Sequence, residues 1–173
     1  MNKSKIEIGI LGGSFDPAHK GHLAISKEAR KRFNLKKIIW AITKKNPLKA
    51  VSKTPVSKRI KDCKKLIGSN TFIKVKFYED TINSNKTIDL INYLKKNKKL
   101  EIFFLMGADN LISFHKWHKS KLITEKCNII VFDRHGYKKN SLKSKTFKKL
   151  NNKSLTFVKF KKVNISSSQL RKI

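Results

Sequence analysis

A glycine pair placed between a short β-branched run and two closely spaced histidines constrains this chain more than any other stretch. Ile6, Ile8, Ile10 and Leu11 suit a buried parallel strand, and Gly12-Gly13 let the backbone turn and come close to a ligand. The segment continues Ser14-Phe15-Asp16-Pro17-Ala18-His19-Lys20-Gly21-His22-Leu23, after which Leu23, Ser26, Ala29, Arg30 and Phe33 recur at helical spacing. A helix is expected to start near Gly21, with its open N–H groups directed at the turn, an arrangement that attracts anions. His19 and His22 flank Gly21, so both imidazoles can face one phosphate group, and neither need act as a base. The competing readings are ordinary surface histidines or a zinc site. A structural zinc site wants four ligands, and Cys63 and Cys127 both lie far off in the sequence.

Further along, Lys37 to Thr43 reads as a second buried strand and Lys44-Lys45-Asn46-Pro47 as a polar breaker. Thr54-Pro55 suggests a hydroxyl cap and a first-turn proline for a helix with an Ile60, Cys63 and Ile67 stripe, stopped by Gly68. Phe72 to Phe77 forms a third strand, Thr87 to Lys96 a helix, and Ile102 to Met106, lacking a polar face, a central strand covered on both sides. Gly107-Ala108-Asp109-Asn110 opens a short helix through Phe114, Asn128 to Asp133 is a fifth strand and Leu155 to Phe160 a sixth. Between Gly136 and Ser154, lysine, asparagine and serine predominate and predict a solvated connection or a frayed helix. The alternation implies an α/β fold of a single domain over residues 1–173, a doubly wound, Rossmann-like parallel sheet with ligands beyond the C-terminal strand ends.

Composition bounds partners. The net charge of +31 is spread along nearly the whole chain and attracts polyanions non-specifically. It fits a nucleic-acid binder and equally an enzyme whose substrates all carry phosphate. The two cysteines show no metal or redox spacing and read as small core residues of a reducing compartment. No apolar run approaches the ~20 residues of a membrane helix, and the apolar stretch at the N-terminus reaches the glycines too soon for a signal segment. A cytoplasmic location follows as the expectation.

The string from Gly12 to Leu23 resembles the nucleotidylyltransferase superfamily and, within it, the bacterial nicotinate-nucleotide adenylyltransferases. Trp40 with Asn46-Pro47-Leu48-Lys49, Thr87-Ile88-Asp89, Gly107 to Asn110, Trp117, Arg134 to Tyr137 and Ile165 to Arg171 are similar to further blocks of that family, in its order. The resemblance implies transfer of the adenylyl group of ATP to nicotinate mononucleotide, giving deamido-NAD and pyrophosphate, with Mg²⁺ carried on the ATP phosphates and no metal ligands from the protein. It implies that His19, His22 and Arg171 are the catalytic residues. Gly12, Gly13, Ser14, Phe15, Gly107, Asp109, Arg134, Ser166 and Ser167 join them around ATP, Asp109 at the ribose. Lys49, Thr87, Trp117 and Tyr137 would bind the mononucleotide, with Trp117 stacked on the pyridine.

Read without the resemblance, Asp109 is a carboxylate just past a strand end, suited to accept ribose hydroxyl bonds, with a plain helix cap as the competing reading, while Trp117 is a core residue and Lys49 a solvated charge. Asp16 reads as a turn residue beside Pro17, since a carboxylate would repel triphosphate. The chain departs from the family pattern at Leu90, where threonine is usual, at His135, where proline is commoner, and at Ser168 and Leu170 in the closing block. It also ends at Ile173, where relatives continue with a further helix beyond the arginine. Transfer to nicotinamide mononucleotide or another phosphate acceptor is the alternative within the same chemistry, and a basic nucleic-acid-binding protein on the same fold is the alternative outside it. A homo-oligomer is left open.

Overall fold

The apolar runs form strands β1 (Ile6–Gly13), β2 (Lys37–Ile42), β3 (Ile73–Lys76), β4 (Leu100–Gly107), β5 (Asn128–Phe132) and β6 (Leu155–Val158) in a computed structural model that describes residues 5–45, 52–133, 137–149, 154–160 and 170. They pair in one parallel sheet in the order β3-β2-β1-β4-β5-β6. Winding reverses between β1 and β4, so the doubly wound expectation holds and the region beyond the ends of those two strands is the switch point where such sheets take ligands. Register brings these ends level, with Leu11 opposite Leu105, each two residues before the end of its strand at Gly13 and Gly107.

Helices α1 (Lys20–Phe33) and α2 (Val56–Ile67) pack on one face, where Ile25, Ala29 and Cys63 meet Leu11, Ile38, Trp40, Leu105 and Phe132. On the other face lie α3 (Glu79–Ile82), α4 (Thr87–Lys95), α5 (Ala108–Ser113), a 3-10 turn (Phe114–Lys116) and α6 (Ser120–Lys126). Ile88, Ile91, Leu111, Phe114 and Ile123 from those elements cover Ile8, Ile10, Phe104, Met106 and Val131. β4 is buried on both sides, as its unbroken apolar run predicts.

Alternation along β1 sends Ile8 and Ile10 to the α4–α6 face and leaves Gly9 beneath Leu35 and Ile38. A Cβ at Gly9 would lie 2.6 Å from Ile38 Cδ1 and 3.0 Å from Leu35 Cδ1, both buried. Gly9→Val is therefore expected to cost about 1–3 kcal/mol through overpacking. Urea unfolding of the variant checks it, and an unchanged midpoint would show that the α1 side of the core can yield.

Three local expectations are corrected. Helix α2 begins one residue after Pro55, which occupies the cap position without a side-chain cap bond, so Thr54 does not serve as the hydroxyl cap. Helices α3 and α6 were not expected; α6 follows Lys119, a lysine at φ 52 without a side-chain cap bond, so it carries none of the usual start signals. The stretch expected to be a solvated connection or a frayed helix contains α7 (Lys138–Leu142) and α8 (Lys145–Lys149), and it is not solvated throughout, since Ser141, Ser144 and Thr146 are buried. Two of the hydroxyls are engaged at different ranges: Ser144 Oγ donates to the Ser141 carbonyl at 2.6 Å within the same stretch, and Thr146 Oγ1 accepts from the distant His115 amide at 3.0 Å. Polar composition concealed this burial because a bonded hydroxyl can be buried at little cost.

Candidate active site

The turn after β1 is shaped by Phe15, which takes φ 50, while the left-handed glycine among the described residues is Gly68 at the end of α2. Gly12 and Gly13 thus do not supply the reversal the sequence suggested. Gly12 is exposed, and a Cβ there would meet only the Phe104 ring, at 3.5 Å; the missing side chain leaves the end of β1 bare. Phe15 accepts an unfavourable backbone because its ring is fully buried, stacked on Trp40 with centroids 5.0 Å apart and planes 19° from parallel.

From that turn the chain enters α1 through a reciprocal cap made by the two histidines. His19 is the N-cap: its Nδ1 accepts the Gly21 amide at 3.1 Å, while His22 Nδ1 accepts the His19 amide at 3.2 Å. A ring nitrogen that accepts an N–H carries no hydrogen, so each neutral imidazole holds its proton on Nε2 and offers a donor there. The two rings are tilted, with centroids 3.9 Å apart and planes 38° from parallel, and His19 Nε2 is out of solvent. Amides expected to stay open at the helix start are partly used: Gly21 N–H is taken by His19 Nδ1 and His22 N–H by the His19 carbonyl at 2.9 Å. His22 is steadied from below, where Trp40 Nε1 donates to Ser26 Oγ at 2.8 Å and Ser26 Oγ to the His22 carbonyl at 2.9 Å. Asp16 is buried and accepts from Ser52 Oγ, in line with its expected role as a turn residue.

At the end of β4, Gly107 caps α5 and Asp109 stands in the first helical turn with its Oδ1 out of solvent, at the strand-end position the sequence suggested. Asp109 is therefore not the N-cap residue that the bland reading made it. Trp117 follows the 3-10 turn with its ring edge-on to Phe114 at 5.1 Å and Phe104 at 6.0 Å, half-buried, so core packing on one side coexists with an accessible portion. Thr87 opens α4 behind Lys86, and Ile88 and Trp117 share one apolar cluster. Tyr137 stands at the start of α7, 44% exposed. The histidines thus lie on the α1 side of the sheet and Thr87 and Trp117 on the α4–α6 side. Lys49, Arg134, Ser166, Ser167 and Arg171 lie outside the described residues, as does His135.

Two residues that the sequence reading passed over hold this region together. Arg59 of α2, 2% exposed, donates to carbonyls of the β1 turn and of the end of β2. Glu79 of α3 accepts from Thr43 Oγ1 and, through both oxygens at 3.2 Å, from the Lys44 amide. The available signal for Arg59 was its place four residues before Cys63, on the apolar stripe of an otherwise lysine-rich helix. Cys63 and Cys127 are free and buried, and burial pushes each thiol up to about 12, so neither offers a thiolate. Among the described residues no group of three His, Cys, Asp or Glu side chains is arranged to hold a metal, and no helix is long and apolar enough to cross a membrane.

A parallel sheet reversing at β1 and β4, with a histidine-capped helix at that point, defines a nucleotidylyltransferase of the cytidylyltransferase-like class, whose family model matches residues 10–173. A Pelagibacter ubique protein named "Probable nicotinate-nucleotide adenylyltransferase" is 67% identical over 173 residues, covering 100% of this chain and 96% of that protein. The chain belongs to the nicotinate-nucleotide adenylyltransferase family. A relative of the same name from Agrobacterium fabrum is 38% identical over 131 residues, 75% of this chain and 70% of that one. The fold is shared with Plasmodium falciparum nicotinic acid mononucleotide adenylyltransferase, solved in complex with NaAD: TM-score 0.77, 22% identity, 96% of this chain and 82% of that chain.

Proposed function

We propose that this protein transfers the adenylyl group of ATP to nicotinate mononucleotide. An oxygen of the mononucleotide 5′-phosphate attacks the α-phosphorus, the bond to the bridging oxygen breaks, and pyrophosphate leaves. The observation that carries this reading is the reciprocal histidine cap, which commits both Nδ1 atoms to the backbone and so makes His19 and His22 paired Nε2–H donors at the switch point. In-line phosphoryl chemistry needs little more from the protein than position and charge neutralisation, and donors of this kind supply it without a proton transfer.

Around them, Gly12, Gly13, Ser14 and Phe15 line the triphosphate and Gly107 with Asp109 the ribose. Asp109 suits that task as a strand-end carboxylate, an acceptor of ribose hydroxyls. Trp117 supplies an aromatic face to the pyridine, Thr87 and the start of α4 its carboxylate, and Tyr137 a cover from α7. Lys49 on the mononucleotide phosphate, and Arg134, Ser166, Ser167 and Arg171 on the ATP side, are assigned from the family resemblance. Arg171 is the cation for the β- and γ-phosphates. Magnesium enters as part of the substrate, carried by the ATP phosphates, as is usual where an ion is bound mainly through nucleotide oxygens. We assign residues 1–173 to one nucleotidylyltransferase domain and place it in the cytoplasm, where its substrates are and where two free thiols stay reduced.

Pyrophosphate release, assayed with a panel of acceptors in the presence of ATP and Mg²⁺, tests the reading. Nicotinate mononucleotide is expected to give the highest kcat/KM, with deamido-NAD as the co-product. A higher kcat/KM for nicotinamide mononucleotide or another phosphate acceptor would move the assignment to that acceptor. No release with any of them, together with RNA binding that survives high salt, would replace the enzyme with a nucleic-acid-binding protein.

A further inference from the structure

Pairing between β1 and β2 ends where Gly13 meets Ile42, with one more backbone bond from the Thr43 amide to the Gly13 carbonyl at 3.0 Å. Beyond that point the two segments separate, and the first forms the turn before His19. The Arg59 side chain crosses the gap. Arg59 Nη1 donates to the Ser14 carbonyl at 2.6 Å and the Thr43 carbonyl at 2.8 Å, Nη2 to the Lys44 carbonyl at 3.4 Å, and Nε to the Thr54 carbonyl at 2.9 Å. Three segments distant in sequence therefore converge on one planar guanidinium, and Glu79 holds the Lys44 amide from the opposite side.

We propose that Arg59 is a positioning residue for adenylyl transfer: it takes over from the sheet where strand pairing stops and fixes the Ser14–His19 turn against the end of β2. The proposal rests on the transferase reading given above, but its structural half does not. A buried cation is costly unless its donors are satisfied, and here carbonyl oxygens accept from three of its nitrogens while Asp16 and Glu79 supply favourable charge. Such a group is ill suited to contact substrate, because its fork is already occupied by backbone. Lysine cannot replace it, since one ammonium has neither the planar fork nor the span to reach carbonyls on three segments.

The turn carries its own reporter, because Phe15 stacks on Trp40 and Trp40 belongs to β2. The protein is labelled with 5-fluorotryptophan, and the ¹⁹F resonance of Trp40 is separated from that of Trp117, the second of the chain's two tryptophans, by a Trp117→Phe variant. Arg59→Met is expected to shift or broaden the Trp40 resonance and to lower kcat by roughly 10²-fold, the scale of a misplacement of about 1 Å at a reacting centre, in protein that remains folded. Arg59→Lys is expected to recover less than a tenth of the lost rate. An unmoved Trp40 resonance, with kcat and both KM values within about twofold of wild type in folded Arg59→Met, overturns the proposal. If Arg59→Met does not fold, the same two readings in Arg59→Lys decide, and wild-type values there overturn it equally. Wild-type protein inactive with every acceptor would sink the transferase reading alone, and the Trp40 resonance would still report whether Arg59 holds the turn.

Discussion

His19→Ala is expected to lower kcat by about 10²-fold or more, the loss that would follow removal of one donor to charge developing in the transition state. The same substitution removes the cap of α1, at a cost of about 1 kcal/mol in stability, because the Gly21 amide loses its acceptor. The two effects come apart in His19→Ser. Serine is a strong N-cap and restores the acceptor for the backbone, yet its hydroxyl is too short to replace the Nε2 donor. That variant is expected to unfold near the wild-type urea midpoint while turning over as slowly as His19→Ala. Steady-state kinetics and urea unfolding on both proteins make the comparison, and a near-normal rate in either variant would remove His19 from the mechanism.

The second large effect is expected on one substrate only. Trp117→Ala should raise KM for nicotinate mononucleotide by roughly 10-fold to 100-fold, the range associated with about 1–3 kcal/mol of aromatic stacking, and should change KM for ATP far less. Its ring also rests edge-on against Phe104 and Phe114, so some stability is lost with it. Trp117→Phe keeps an aromatic face and part of that packing, and its KM should fall between the two. Equal rises for both substrates would point to distortion of the fold, and no rise for the mononucleotide in folded Trp117→Ala would return Trp117 to the role of a core residue.

Legibility followed the range of the interaction. The strand, the turn and the helix start from Ile6 to Phe33 were readable because hydrophobic periodicity and the two histidines act over a few residues. Even there, the residue that bends the turn was misread. Glycine is the usual donor of φ above zero, and packing of the Phe15 ring on the distant Trp40 and on His22 offsets the cost of that backbone. Ser144 and Thr146 misled for the opposite reason: their composition reads as solvated, and the bonds that let them be buried depend on the local helical geometry and on His115.

What the amino-acid string determined by itself was the alternation of strand and helix, the central place of Ile102 to Met106, and the placing of His19 and His22 together at the start of the first helix. These are properties of neighbours in the chain. Only the tertiary structure decided that both Nδ1 atoms are spent on capping, leaving Nε2 as the donor, that Gly9 is required by Leu35 and Ile38, and that Arg59 joins the ends of β1 and β2. Each depends on atoms brought together across the sheet or through a turn, and a lysine-rich helix offers no local reason why one arginine should point inward.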